Sequence, residues 1–109
     1  MNPIVVLTTT DSPELAQQIA TALVEAGEAA CVNIVPGIRS IYRWEGQLYD
    51  EGELLLVIKS RAERFEEVRS RIRQLHSYQV PEVIALPIKT GDPEYLHWLS
   101  QVTSDASDE

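Results

Sequence analysis

Residues 30–59 read ACVNIVPGIRSIYRW, then EG, then QLYDEGELLLVIK. Val, Ile, Tyr and Trp dominate both flanks, and Glu45-Gly46 supplies a residue that turns at positive φ, so the stretch reads as a β-hairpin turning at Trp44-Glu45-Gly46-Gln47. An arm from Ala30 to Trp44 would extend about 45–50 Å at ~3.3 Å per residue, whereas a domain of this size is about 34 Å across. The tip must therefore overhang its own domain. Ile41, Tyr42, Trp44, Leu48 and Tyr49 crowd that tip, and a projecting apolar ribbon in a water-facing chain calls for a second chain to lie against. A homo-oligomer with these residues in its interface is expected.

Working outward, Pro36-Gly37 interrupts the first arm. Proline cannot donate a ladder hydrogen bond, so a bulge or bend is placed there, with the inner half of the arm pairing inside the domain and the outer half reaching a neighbour. Leu54 to Ile58 is apolar on consecutive positions, which requires cover on both faces of the sheet. Upstream, Ile4 to Leu7 and the threonines after it form a central strand over residues 3–9. A helix follows, with Ser12 as cap, Pro13 at its first position, Leu15, Ala16, Ile19, Ala20, Leu23 and Val24 on one face, and Gly27 as a left-handed stop. Downstream, Ser60 with Glu63 reads as a capping box for a second helix whose buried stripe is Phe65, Val68, Ile72 and Leu75. Its outer face pairs acidic and basic residues four apart. A last strand spans Val83 to Ile88, and Asp92 caps a third helix packing Leu96 and Leu99. The element order is βαββαβ plus a C-terminal helix. It predicts an α+β, ferredoxin-like domain over residues 1–103, with an acidic disordered tail at 104–109.

Composition narrows the function. With 109 residues, 44% hydrophobic and 24% charged, there is room for one core and no separate catalytic domain. A formal charge of -8 repels phosphate backbones and anionic lipid, so neither nucleic acid nor membrane is an expected partner. The single cysteine, Cys31, excludes an intrachain disulfide. The N-terminus enters Ile4-Val5-Val6-Leu7 without a basic segment and long apolar run, so a cytoplasmic location is expected. Phosphate loops, His-Glu-x-x-His, nucleophile elbows and Cys-x-x-Cys are all missing, and no enzyme is expected.

Four separated motifs stand in order: Ala29 to Gly46; Glu53 with Ile58-Lys59-Ser60; His76-Ser77-Tyr78-Gln79-Val80-Pro81-Glu82; and Gly91-Asp92-Pro93-Glu94-Tyr95-Leu96-His97-Trp98-Leu99. Together they resemble the CutA divalent-cation tolerance family. The resemblance implies a ferredoxin-like fold assembled as a tight trimer, similar in architecture to PII-type signalling proteins, with clefts between subunits. It also implies an association with copper or another divalent cation, and no organic cofactor. Thr8 and Leu75 stand where some copper-binding members carry cysteine and histidine, Ser77 replaces the proline of the usual His-Pro-Tyr, and His76 is retained.

Each candidate carries two readings. Cys31 is a small buried hydrophobe, or a soft ligand beside His76 or a second Cys31. His76 sits in a loop with Tyr78 and Glu82, where function concentrates. Trp44, Tyr42 and Tyr49 pack against a neighbour or line a ligand cleft. Lys59, Glu82, Arg39 and Arg43 form salt bridges between subunits, or a basic group draws an anion. His97 reads as structural. The expected function is divalent-cation tolerance by a homotrimer with a metal ion in its clefts. The alternative is a metal-independent signalling module binding a small anionic metabolite there.

Overall fold

The computed structural model describes residues 1–104. Along the chain run β1 (Pro3–Thr10), α1 (Pro13–Glu25), β2 (Cys31–Trp44), β3 (Gln47–Arg61), a 3-10 turn (Ala62–Arg64), α2 (Phe65–Leu75), β4 (Ile84–Pro87) and α3 (Pro93–Thr103). The strands form one antiparallel sheet in the order β2-β3-β1-β4, the split βαβ arrangement of an α+β domain. The tail expected at 104–109 lies, beyond Ser104, outside the described residues. No helix among them is long and apolar enough to cross a membrane.

Alternation sorts the sheet into two faces. Ile4 and Val6 of β1 pair across from Ser60 and Ile58 of β3, and with Leu56 they form the core that Ala16, Ile19 and Leu23 of α1 and Val68 and Ile72 of α2 cover. Thr8 shares that face, fully buried, with no hydrogen-bond partner for its hydroxyl among the described residues. The second face carries Val5, Leu7 and Thr9 with Lys59, Val57 and Leu55. There α3 packs against β1 and β3, burying Leu99 apart from the main core, with Tyr95 close to Cys31. Ile84, Leu86 and Val35 on this face stay exposed. The second face is thus shared between the chain's own terminal helix and open apolar surface.

The hairpin is the feature the sequence reading anticipated. Glu45 and Gly46 both sit at positive φ, 50° and 79°, the two-residue turn whose twist matches the flanking strands. At Pro36-Gly37 the register slips: Val35 pairs with Leu55 and Ile38 with Glu53, so β2 spends two residues where β3 spends one. Gly37 takes φ 75° to make this bulge. The expected change of partner does not occur, because β2 stays paired with β3 on both sides of the bulge. The molecule measures 48 × 27 × 22 Å, and the long axis is that of the ribbon, since the 15 residues of β3 alone span about 50 Å.

Helix signals hold at two of three starts. Ser12 Oγ accepts from the Leu15 N–H at 3.1 Å, and Asp92 Oδ2 accepts from the N–H groups of Glu94 and Tyr95 at 3.1 Å each. The capping box at Ser60 does not form. Pairing of β3 with β1 continues to Pro3↔Arg61, and the buried Ser60 hydroxyl donates to the Glu28 carbonyl at 2.6 Å, so α2 begins only at Phe65. Leu75, expected in the buried stripe, is exposed at the helix end, and two ion pairs on and just before the helix, Arg64–Glu67 and Glu66–Arg69, are three rather than four apart. The last strand is shorter than expected, Ile84–Pro87.

Two tests follow from local geometry. A Cβ on Gly37 would meet nothing within 4 Å, so Gly37→Ala isolates the positive-φ penalty; denaturant unfolding should show a loss of about 1 kcal/mol. Gly52→Ala, equally open and without positive φ, should not lose stability. Glu63, now freed from capping, clamps the N-terminus: although desolvation works to raise its pKa, hydrogen bonds from Asn2 and Arg61 hold it at about 2, against an ordinary 4.5. A depressed carboxylate stabilises fully above its unfolded pKa and loses that contribution as pH falls through the folded value. Acid unfolding curves of Glu63→Gln should therefore lie below wild type at pH 7 and converge with it between pH 4.5 and 2.

Candidate functional site

The bulge decides what the hairpin presents. Because Ile38 pairs with Glu53, the even-numbered residues beyond it, Ser40, Tyr42 and Trp44, share the second face with Glu53; uninterrupted alternation would have turned them to the opposite one. A groove of about 530 Å³ opens between this wall and the segment after α2. Ser40, Ile41, Tyr42 and Trp44 form the hairpin side, Thr9 and Glu53 the floor, and Tyr78, Gln79, Val80 and Glu82 the other side. Tyr42 is braced by stacking on Tyr49, with ring centres 5.2 Å apart.

The loop side is held by His76. Its Nε2 lies 2.7 Å from the Thr9 carbonyl oxygen and therefore donates, while its Nδ1 accepts the Tyr78 N–H at 3.1 Å. Both ring nitrogens of a neutral imidazole are thereby occupied. The Tyr78 ring rests on the imidazole with centres 4.5 Å apart, and its hydroxyl donates to Glu53 Oε2 at 2.6 Å. Burial, then this bond and the negative charge of Glu53, push the Tyr78 hydroxyl well above its usual pKa. Glu53 is only 7% exposed, and no lysine or arginine among the described residues lines the groove.

The structure brings together some of the residues that sequence singled out and separates others. Tyr78, Glu82, Trp44, Tyr42 and Ile41 meet in the groove. Cys31 and Lys59 do not: they pair with each other at the base of the hairpin, where the Lys59 ammonium bonds Asn33 Oδ1 and Cys31 Sγ lies 4.0 Å from the same oxygen. Lys59 pairs with Val5, four residues along β1 from the Thr9 that holds His76, a separation of about 13 Å. Within one chain Cys31 and His76 are not partners, and no three His, Cys, Asp or Glu side chains among the described residues cluster to hold a metal ion. Thr8 points into the helix-covered core, away from the groove, and Leu48 and His97 are exposed. Sequence reasoning passed over Glu53, Thr9, Ser40, Gln79 and Val80 as site residues. The available signal was Glu53, a charge abutting the apolar run Leu54 to Ile58.

Residues 4–102 match the family described as CutA1 divalent ion tolerance protein. The chain belongs to that family. The divalent-cation tolerance protein CutA of Thermus thermophilus is 52% identical over 99 residues, covering 91% of this chain and 96% of that protein. Mouse protein CutA is 43% identical over 91% of this chain, which spans only 56% of the mouse protein. The solved structure of the Thermus thermophilus divalent cation tolerance protein superposes with a TM-score of 0.91 at 51% identity, over 94% of this chain and 99% of that one. The CutA family takes its name from tolerance to divalent ions, not from a reaction.

The Tyr78–Glu53 bond should be visible thermodynamically. Tyr78→Phe leaves a buried carboxylate oxygen without its donor and should cost about 1–3 kcal/mol in denaturant unfolding. In a Glu53→Gln background the same change should cost much less, giving a coupling of at least ~0.5 kcal/mol in the double-mutant cycle.

Proposed function

We propose that the chain serves divalent-cation tolerance as a cytoplasmic homotrimer, PII-like in arrangement, with a divalent cation held in the cleft where one subunit's groove is closed by the next. The observation that carries this reading is the hairpin wall of the groove: it is the overhanging tip, where Ile41 is 63% and Leu48 72% exposed. Alternation turns those two side chains to the ribbon face opposite Tyr42 and Trp44, so neighbouring chains clasping both faces of the tip would bury them and roof the groove. Family membership supports the divalent-cation half of the reading.

Donor chemistry refines it. Glu53 and Glu82 offer carboxylate oxygens, which suit hard divalent cations, whereas copper favours imidazole or thiolate. Both His76 nitrogens are engaged and Cys31 is remote, so one chain's residues fit a hard cation better than copper. With two carboxylates and no third donor residue clustered, the set needs a neighbouring subunit to complete it. An anionic metabolite, the alternative, would find two carboxylates and no basic side chain lining one chain's groove.

Light scattering over a dilution series should give the mass of three chains down to low nanomolar concentration; single chains there would overturn the assembly. Calorimetric titration with magnesium, manganese and copper salts should show saturable binding that falls at least ~10-fold in Glu53→Gln, the scale of losing a charged contact. Metal binding kept in Glu53→Gln but lost in His76→Ala would overturn the carboxylate site.

A further inference from the structure

We propose that the groove also recognises an organic ammonium ion, with Glu53 as its counter-charge and Tyr42, Trp44 and Tyr78 as its aromatic walls. This rests on reading the groove as a cation site, and it names a class of cation that one chain's own residues select.

Glu53 points to a positive ligand. The residue is more than nine-tenths buried, and it lines the groove. Its Oε2 accepts from the Tyr78 hydroxyl at 2.6 Å, a short hydrogen bond. That bond delivers no charge, and no hydrogen bond among the described residues reaches Oε1. A buried carboxylate without a cationic neighbour is costly, and no lysine or arginine among the described residues lines the groove. The second carboxylate, Glu82 on the loop side, deepens the negative potential.

The walls choose between cations. A magnesium or calcium ion asks for six or more oxygen ligands close around it, its waters included. At about 530 Å³, the groove is instead in the size range of small-molecule sites. Its walls are largely ring and aliphatic surface: Tyr42 and Trp44 on the hairpin side, Tyr78 on the loop side, with Ile41 and Val80. Aromatic faces attract ammonium groups, and do so more strongly where water is excluded. The cage is stiff on both sides, since Tyr42 is stacked on Tyr49 and Tyr78 is braced by His76, so a ligand need not order it. The placement depends on the bulge at Pro36-Gly37, which turns Tyr42 and Trp44 to the face of Glu53.

The test is calorimetric titration of the full chain, in its native assembly, with tetramethylammonium chloride and butane-1,4-diamine dihydrochloride. Neutral tert-butanol serves as the shape control and sodium chloride as the salt control. Saturable binding of an ammonium probe is expected, at least ~10-fold tighter than tert-butanol and weakened at least ~10-fold by Glu53→Gln. In Trp98→Phe, which leaves Trp44 as the one tryptophan of two, the ammonium probe should also change the indole emission. This reading does not depend on whether Glu53→Gln folds. Ammonium binding no better than tert-butanol, or unaltered Trp44 emission at saturating probe, overturns the proposal. If divalent metal salts bind through Glu53 while the ammonium probes do not, the organic class falls and the metal reading stands. If neither binds, both fall.

Discussion

One extra residue at Pro36-Gly37 governs which way the hairpin's rings face. Strand alternation has a period of two, so a single insertion exchanges inside and outside for everything beyond it. Below the bulge, Val32 faces the helix-covered core; above it, Tyr42 and Trp44 lie on the opposite face, alongside Glu53. Proline at the slip removes a donor that would otherwise lack a partner, and glycine accepts the φ of 75° that the slip requires. The groove is a consequence of this register, not of any sequence motif within the hairpin tip.

The opposite wall depends on the first through the sheet. Helix α2 ends at Leu75, and His76 ties the departing chain to the Thr9 carbonyl on β1. Glu53 immediately precedes Leu54, the partner of Thr10, so the same end of the same ladder supplies the anchor for His76 and the acceptor for Tyr78. A change in the β1–β3 register would move both contacts together. The imidazole is therefore spent on positioning, donating at one nitrogen and accepting at the other, which leaves Tyr78 and the carboxylates to face the groove.

What sequence made legible is what short-range physics controls. The Trp44–Gln47 turn, the bulge, the caps at Ser12 and Asp92 and the alternation in β1 are each decided within a few residues, and each was readable. Ser60 misled because two local preferences competed: its spacing to Glu63 suits a capping box, but the long-range ladder to β1 claimed it first. The site was half legible. Aromatic residues at the tip and the loop after α2 could be named, but their meeting depends on a distance between elements. Cys31 and His76 looked like partners by residue type, and only the register of β1, β2 and β3 sets them apart. Glu53 was harder still: a charge abutting the apolar run Leu54 to Ile58 marks it, but its role shows only once its tyrosine donor is seen across 25 residues of chain.

The energetics of Glu53 bear on how the molecule lives. Burying a carboxylate costs several kcal/mol even after the protein relaxes around it. One hydrogen bond to a charged group returns about 1.5–3 kcal/mol. The chain elsewhere settles such accounts with a basic partner, as Glu28 does by a bidentate pair with Arg71 at 3.0 Å. In the groove it does not. The same ribbon also leaves Ile41 and Leu48 facing water, an apolar cost at the tip beside an electrostatic one at its floor. The two deficits lie on opposite faces of one ribbon, and a cation in the groove with neighbouring chains clasping both faces of the tip would relieve them together. Occupancy of the groove and burial of the tip should then be thermodynamically linked, each raising the affinity of the other.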